Sequence, residues 1–284
     1  MRVLHSITSM QKISKEFQRQ GKIIGFVPTM GYFHQGHLSL MLQARKDTDK
    51  VVVSIFVNPI QFGPKEDFKR YPRDLKRDLK MVKDIGVDIV FCPKEEEMYP
   101  EGYKTYVRVK ELEDRLCGRF RPGHFQGVCT VVLKLFNIVM PHIAYFGQKD
   151  AQQAIIIKRM VKDLNIPVKI KVMPIVRESD GLAMSSRNTY LNKKEREDAV
   201  ILYRGLQLAK ELVKSGINDS AYIIERVKKF ILPKITKIDY IEIVDYKNLL
   251  PLKKIEKEGL LALAVWIGKT RLIDNIILRN KKNI

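Results

Sequence analysis

The sequence predicts an α/β fold: a parallel sheet covered by helices over residues 1–176, then a smaller α+β domain over residues 177–284. Three observations predict it. Apolar runs of strand length alternate with helical stretches through the first part. Those runs are continuously apolar, which marks strands buried on both faces. Past about residue 188 the order becomes helices followed by strands, which points to a second domain.

Residues 23–27 form an apolar run that ends at Pro28, a buried strand. Helical periodicity covers about 37–46. The β-branched run 51–57, closed by Asn58-Pro59, is the second strand. Charged helical sequence follows over 67–85, and 89–92 is the third strand. Residues 128–139 are apolar and predict a buried helix. A short strand at 143–146, a helix at 151–164 and a strand at 168–176 complete the first domain. The change of character at 176–188 marks the domain boundary. Residues 193–214 and 220–232 are amphipathic helices. Three strands follow at 239–244, 260–266 and 271–278, the last two joined by Gly268-Lys269-Thr270, a hairpin signal.

Composition excludes several classes. The longest apolar run, 260–267, is far short of the ~20 residues that a bilayer helix needs. The N-terminal residues lack the apolar stretch of a signal peptide, so a cytoplasmic protein is expected. Three widely spaced cysteines, Cys92, Cys117 and Cys129, make neither a disulfide framework nor a zinc site and read as buried free thiols. The formal net charge is +20. Lys and Arg are spread along the chain and often sit beside Glu or Asp, as in Lys193-Lys194-Glu195-Arg196-Glu197, which is the pattern of a solvated surface. No nucleic-acid partner is expected. The basic field would attract small anions such as ATP, and the abundance of Lys, Glu and Ile also suits heat adaptation.

Five motifs carry chemistry. The first is Met30-Gly31-Tyr32-Phe33-His34-Gln35-Gly36-His37, after a strand and before a helix. In an open parallel sheet that is where ligands bind, and a helix N-terminus suits phosphate. Gly31 permits a tight turn, Gly36 a close approach by a flat base or a backbone. His34 and His37, three apart, share a face and can each donate to a phosphate oxygen. A zinc pair is the poorer reading, since no further ligands accompany it. The second is Met184-Ser185-Ser186-Arg187 at the domain boundary, either a phosphate clamp or a polar loop with a helix cap. The third, Asn58-Pro59-Ile60-Gln61-Phe62, offers carboxamides to a hydroxy acid, or is a simple turn. The fourth is Gly147-Gln148-Lys149-Asp150 with Gln152 and Gln153. Lys149 suits phosphate, Asp150 ribose hydroxyls or a helix cap, and Gln153 the organic acid. The fifth runs from Arg119 through Arg121-Pro122-Gly123-His124 to Val128, where arginines beside a glycine turn suit a phosphate or carboxylate, or an ordinary basic loop.

HxGH resembles the first signature of nucleotidyl-transferring enzymes related to class I aminoacyl-tRNA synthetases. Met184-Ser185-Ser186-Arg187 looks like their second, Lys-Met-Ser-Lys-Ser, with the basic residue displaced to Arg187. Together the five motifs resemble the pantothenate synthetase (pantoate–β-alanine ligase) family. The likeness runs to Thr270-Arg271-Leu272-Ile273-Asp274-Asn275, with Phe33 for a usual Leu and Ile60 for a usual Met or Leu. The resemblance implies a Rossmann-like domain (1–176), a C-terminal lid (177–284, with hinge and loop at 177–188) and a homodimer. It implies ATP-dependent joining of pantoate to β-alanine through a pantoyl adenylate. His34, His37, Lys149, Ser185, Ser186 and Arg187 would stabilise the phosphate charge. ATP would also meet residues 30–37, Gly147, Gln148, Asp150, Val176 and Met184, with adenine near Gly36 and Val176. Gln61, Gln153, Asn58 and Arg121 would bind pantoate or β-alanine. Magnesium would accompany ATP, held largely by phosphates and water. No protein ligand for it is assigned, Asp78 being the one candidate. The alternative is another HxGH nucleotidylyltransferase acting on a small acid or cofactor precursor.

Overall fold

A computed structural model describes residues 1–64 and 66–280. The chain forms two compact units. Unit 1 comprises Met1–Glu113, Arg121–Gln148 and Ile156–Pro174. Unit 2 comprises Asp114–Phe120, Lys149–Ile155 and the chain from Ile175 onward.

The first part of the chain runs β1 (Arg2–Leu4), α1 (Ile7–Arg19), β2 (Ile24–Thr29), α2 (Gln35–Asp47), β3 (Lys50–Ile55), α3 (Leu75–Lys83), β4 (Ile89–Phe91) and α4 (Glu95–Met98). It continues through α5 (Cys117–Phe120), α6 (His124–Val139), β5 (Ile143–Gly147), α7 (Ala151–Asp163) and β6 (Lys169–Met173). The six strands form one sheet in the order β1-β4-β3-β2-β5-β6, with every pairing parallel. Strand residues alternate between the two faces. Val27, Val51, Val53, Val90 and Tyr145 join the core under α2 and α3. Phe26 turns the other way and meets Phe136 of α6 edge-on. Gly25 interrupts the apolar run because a Cβ there would lie 2.6 Å from Thr48 Oγ1.

This strand order positions the site. From β2 the chain steps one way to β3 and β4, then reaches β5 and β6 on the other side. The carboxyl ends of β2 and β5, Thr29 and Gly147, therefore flank the point where the order reverses. In open α/β sheets ligands bind in the crevice at such a point.

Three helix and strand expectations change. The charged stretch 67–85 is a 3-10 turn (Phe68–Arg70) and a shorter α3. Pro72 holds Tyr71 extended, at φ −55° and ψ 125°. Asp74 then starts the helix by accepting the Arg77 N–H. The single helix expected over 193–214 is two, α8 (Lys193–Ala199) and α9 (Ile201–Lys214), broken where the Val200 N–H turns to the Asp198 carbonyl. The strand expected over 168–176 ends at Met173, just before Pro174.

In unit 2, α10 (Ser220–Ile231) follows α9. Then β7 (Lys237–Val244), β8 (Glu258–Ile267) and β9 (Thr270–Arg279) form an antiparallel sheet in the order β7-β8-β9. Leu261, Leu263, Val265 and Ile267, alternating along β8, join the core with Leu206 of α9 and Val227 of α10. Among the described residues no helix is long and apolar enough to cross a membrane. All three cysteines are free, with Cys117 and Cys129 buried and Cys92 partly so.

Candidate active site

The loop after β2 is fixed from both sides. Thr29 Oγ1 donates to the Ser54 carbonyl (2.6 Å) and accepts from the Gly31 N–H (3.2 Å). Gly31 lies at φ +82°, where a Cβ would be 2.9 Å from Ile55 Cγ2. Tyr32 also has positive φ, +53°, a conformation that costs a non-glycine residue on the order of 1–3 kcal/mol and persists only where its surroundings enforce it. Asp78 enforces it. Its Oδ2 accepts the Tyr32 N–H at 2.6 Å and its Oδ1 the Phe33 N–H at 2.8 Å. Arg77 Nη2 donates to the Phe33 carbonyl (2.9 Å), and its guanidinium lies over the Tyr32 ring. Burial pushes the Asp78 carboxyl above its ordinary value, opposed by the two N–H groups. Both oxygens thus serve the loop, which gives Asp78 a structural task. Among the described residues no group of three or more His, Cys, Asp and Glu could hold a metal.

Phe33 is fully buried and anchors the start of α2. His34 is the N-cap, at φ −138° and ψ 174°, and its Nδ1 accepts the Gly36 N–H at 3.1 Å. A neutral ring with Nδ1 as acceptor carries its proton on Nε2. The His37 ring stacks at a tilt on His34, centroids 4.1 Å apart. The two imidazoles are therefore brought together at the carboxyl end of β2, over a helix N-terminus. Gln35 is exposed, and Met30, Tyr32 and Gly36 are partly buried.

A second group in unit 1 surrounds Gln61, which is buried on the 3-10 turn Pro59–Gln61. Asn58 Nδ2 donates to Gln61 Oε1 and to the Gly127 carbonyl, both at 3.0 Å. Asn58 Oδ1 accepts from the Tyr99 hydroxyl at 2.8 Å. Burial holds that phenol well above its usual range, so it stays a donor. The Asn58 carboxamide is thereby occupied within the protein and orients Gln61. Gln61 Nε2 points to Met30 Sδ at 3.2 Å. Gly127 explains the spacing of the fifth motif, since a Cβ there would lie 2.5 Å from the Ile60 carbonyl oxygen. Arg121 already meets a carboxylate, that of Glu66, at 2.5 and 2.8 Å. His124, which sequence reasoning left without a role, lies 3.0 Å from Arg121 Nη1 through Nε2, and its Nδ1 is 2.8 Å from the Gln61 carbonyl.

The other expected residues lie in unit 2, except Gly147, which closes β5, and Gln148, which opens the 3-10 turn after it, both in unit 1. Lys149 Nζ is 3.5 Å from Asp150 Oδ1 on a 3-10 turn. Gln152 and Gln153 follow in the first turn of α7. Gln152 is buried, with Oε1 accepting the Cys117 N–H and Nε2 donating to the Arg115 carbonyl, while Gln153 is partly buried. The chain from Val176 to Met184 is a tight hairpin in which the Met184 N–H donates to the Val176 carbonyl and the Glu178 N–H to the Leu182 carbonyl. Ser185 caps the 3-10 turn Ser186–Tyr190 by accepting the Arg187 N–H at 3.2 Å. Ser186 is buried and Arg187 partly buried. Arg196, also missed from sequence, ties Glu178 (2.6 Å) to Asp180 (2.8 Å) and so braces the hairpin.

Residues 2–277 match the family described as Pantoate-beta-alanine ligase. The chain belongs to that family. It is 59% identical over 278 residues to the pantothenate synthetase of Fervidobacterium nodosum, covering 98% of this chain and 99% of that protein. Identity to the pantothenate synthetase of Thermosipho africanus is 58%, over 98% and 100% of the two chains. Among solved structures, pantothenate synthetase from Thermus thermophilus superimposes with a TM-score of 0.92 at 44% identity, over 97% of this chain and 99% of that one. A pantoate-beta-alanine ligase from Francisella tularensis, complexed with beta-gamma ATP and beta-alanine, gives 0.82 at 36% identity, over 98% and 97%.

Proposed function

We propose that this chain condenses pantoate with β-alanine at the expense of ATP, and that family membership over residues 2–277 is the observation that carries the reading. In the first step a pantoate carboxylate oxygen attacks the α-phosphorus of ATP, and pyrophosphate leaves with the bonding pair. In the second the β-alanine amine attacks the acyl carbon, AMP leaves, and the amine loses a proton. A carboxylate is already ionised and nucleophilic, so the first step needs no base. It needs two anions held together and donors aimed at the charge that develops on phosphate.

His34 and His37, adjacent at the start of α2, do that work, the Nε2–H of His34 being the donor that its cap bond leaves available. Lys149, Ser185, Ser186 and Arg187 supply further donors, with Asp150 facing the ribose and Gly36 and Val176 the adenine. Gln61 and Gln153 grip pantoate. Arg121 and His124 receive the β-alanine carboxylate, and the Arg121 guanidinium then divides its donors between that carboxylate and Glu66. Magnesium arrives with ATP, held largely by phosphate oxygens and water. The chain from residue 177 acts as a lid, the enzyme works in the cytoplasm where ATP is available, and two copies form a homodimer. Purified protein should release AMP from ATP only when both pantoate and β-alanine are present. AMP release independent of pantoate would sink the reading.

A further inference from the structure

The segment Thr270-Arg271-Leu272-Ile273-Asp274-Asn275 has no part in the reaction as described, yet it places two adjacent polar residues in the interior of unit 2. Asp274 and Asn275 on β9 are 2% and 4% exposed. Neighbours on a strand point to opposite faces, and buried polar groups need partners. Their partners are informative. Asp274 Oδ2 accepts from Arg177 Nη1 at 2.6 Å, and Oδ1 from Arg177 Nη2 at 3.0 Å and from the Asn275 N–H at 2.8 Å. Asn275 Nδ2 donates to the main-chain carbonyl of Lys149 at 2.9 Å.

Arg177 carries the Asp274 contact into the hairpin that runs from Val176 to Met184. Its Nη1 also donates to the Gly181 carbonyl at 3.0 Å, and its guanidinium lies over the Tyr203 ring. Arg177 pairs with Ala183 across the hairpin, directly before Met184. The turn has no slack, since Gly181 sits at φ +98° and a Cβ there would be 2.0 Å from Tyr203 Cδ1. One rigid strand therefore grips both the backbone of Lys149 and the base of the 184–187 loop, two segments far apart in the chain.

We propose that Asp274 and Asn275 are positioning residues for adenylate formation, setting Lys149 and the 184–187 loop in register with each other. The inference rests on the reading that those two segments handle the phosphates of ATP. Neither residue touches substrate. Their effect passes through Lys149 and through the loop, and it should vanish when the group they position is absent.

A pair of double-mutant cycles tests this, read by single-turnover, pantoate-dependent pyrophosphate release without β-alanine and by melting of the same samples. Asn275→Ala should slow release about tenfold in the wild-type background, with a smaller change in KM for ATP, and less than about twofold in a Lys149→Ala background. Removing the Asp274 side chain would leave the partly buried Arg177 without its carboxylate, so Asp274→Asn, which keeps one acceptor, is the second arm. Its loss should likewise disappear in an Arg187→Ala background. Equal fold-losses in both backgrounds, or lower melting with normal turnover per folded molecule, would overturn the inference alone. A wild-type protein that releases no pyrophosphate with pantoate would overturn the reading of the site and this inference with it.

Discussion

Replacing His34 removes two things, and the structure allows them to be separated. The first is a helix cap. Nδ1 accepts the Gly36 N–H at 3.1 Å, and losing such a cap costs about 0.5–2 kcal/mol. For a chain of this size 1 kcal/mol corresponds to about 2–4 °C in Tm. The second is the phosphate donor proposed above, whose loss would cost ~2.7–4 kcal/mol in the transition state, or about 10²–10³ in rate. His34→Ala should lose both. His34→Asn should restore the cap, because Asn is among the best capping residues, while the imidazole donor stays absent. The expected pattern is a Tm lowered by a few degrees in His34→Ala and regained in His34→Asn, with adenylation impaired about 10²-fold or more in both. Differential scanning calorimetry and rapid-quench measurement of pyrophosphate on the same samples give the two readouts. If His34→Asn melts like the wild type and also adenylates like it, His34 is a cap and nothing more.

Gly127→Ala places a Cβ 2.5 Å from the Ile60 carbonyl. It should cost about 1–3 kcal/mol in urea unfolding and raise KM for pantoate by displacing Gln61; an unchanged KM would detach this helix from the pantoate site. Asp78→Asn turns an NH2 group toward one of two backbone N–H donors, leaving it unsatisfied at a cost of about 1–3 kcal/mol, with slower adenylation because the Tyr32–Phe33 backbone relaxes. Full activity would show that the loop holds its shape without Asp78. The hydrogen bond from Lys171, with those from Tyr145 and Gln43, holds Asp47 below its ordinary carboxylate value. The folded pKa is thus depressed, so this contribution is present above the unfolded value of about 3.9 and lost as pH falls through the folded one. Asp47→Asn should flatten the dependence of Tm on pH below about pH 4, and an unaltered slope would refute that assignment.

Much of this architecture is legible in the sequence, and the failures have identifiable causes. Long apolar strands such as β2, β3 and β8 announce themselves because both faces are buried. β1 has three residues, and α1 buries only Met10 and Ser14, so neither leaves a strong pattern. The charged stretch before α3 reads as helix in composition, but Pro72 decides against it locally. At the site, the residues that would face substrate are visible as motifs, while those that hold them are not. Asp78 lies in an ordinary charged helix, and its partners Tyr32 and Phe33 are some 45 residues away. Glu66 meets Arg121 across 55 residues, and Asn275 meets Lys149 across 126. No local periodicity encodes such pairs. They exist only once the sheet has set the register.

The proposed reaction makes a free-standing adenylate before β-alanine is engaged. Isotope exchange between pyrophosphate and ATP tests it most directly. With magnesium, ATP and pantoate present, label from pyrophosphate should enter ATP in the absence of β-alanine, and omitting pantoate should abolish the exchange. Exchange that strictly required β-alanine, or that proceeded without pantoate, would contradict the account.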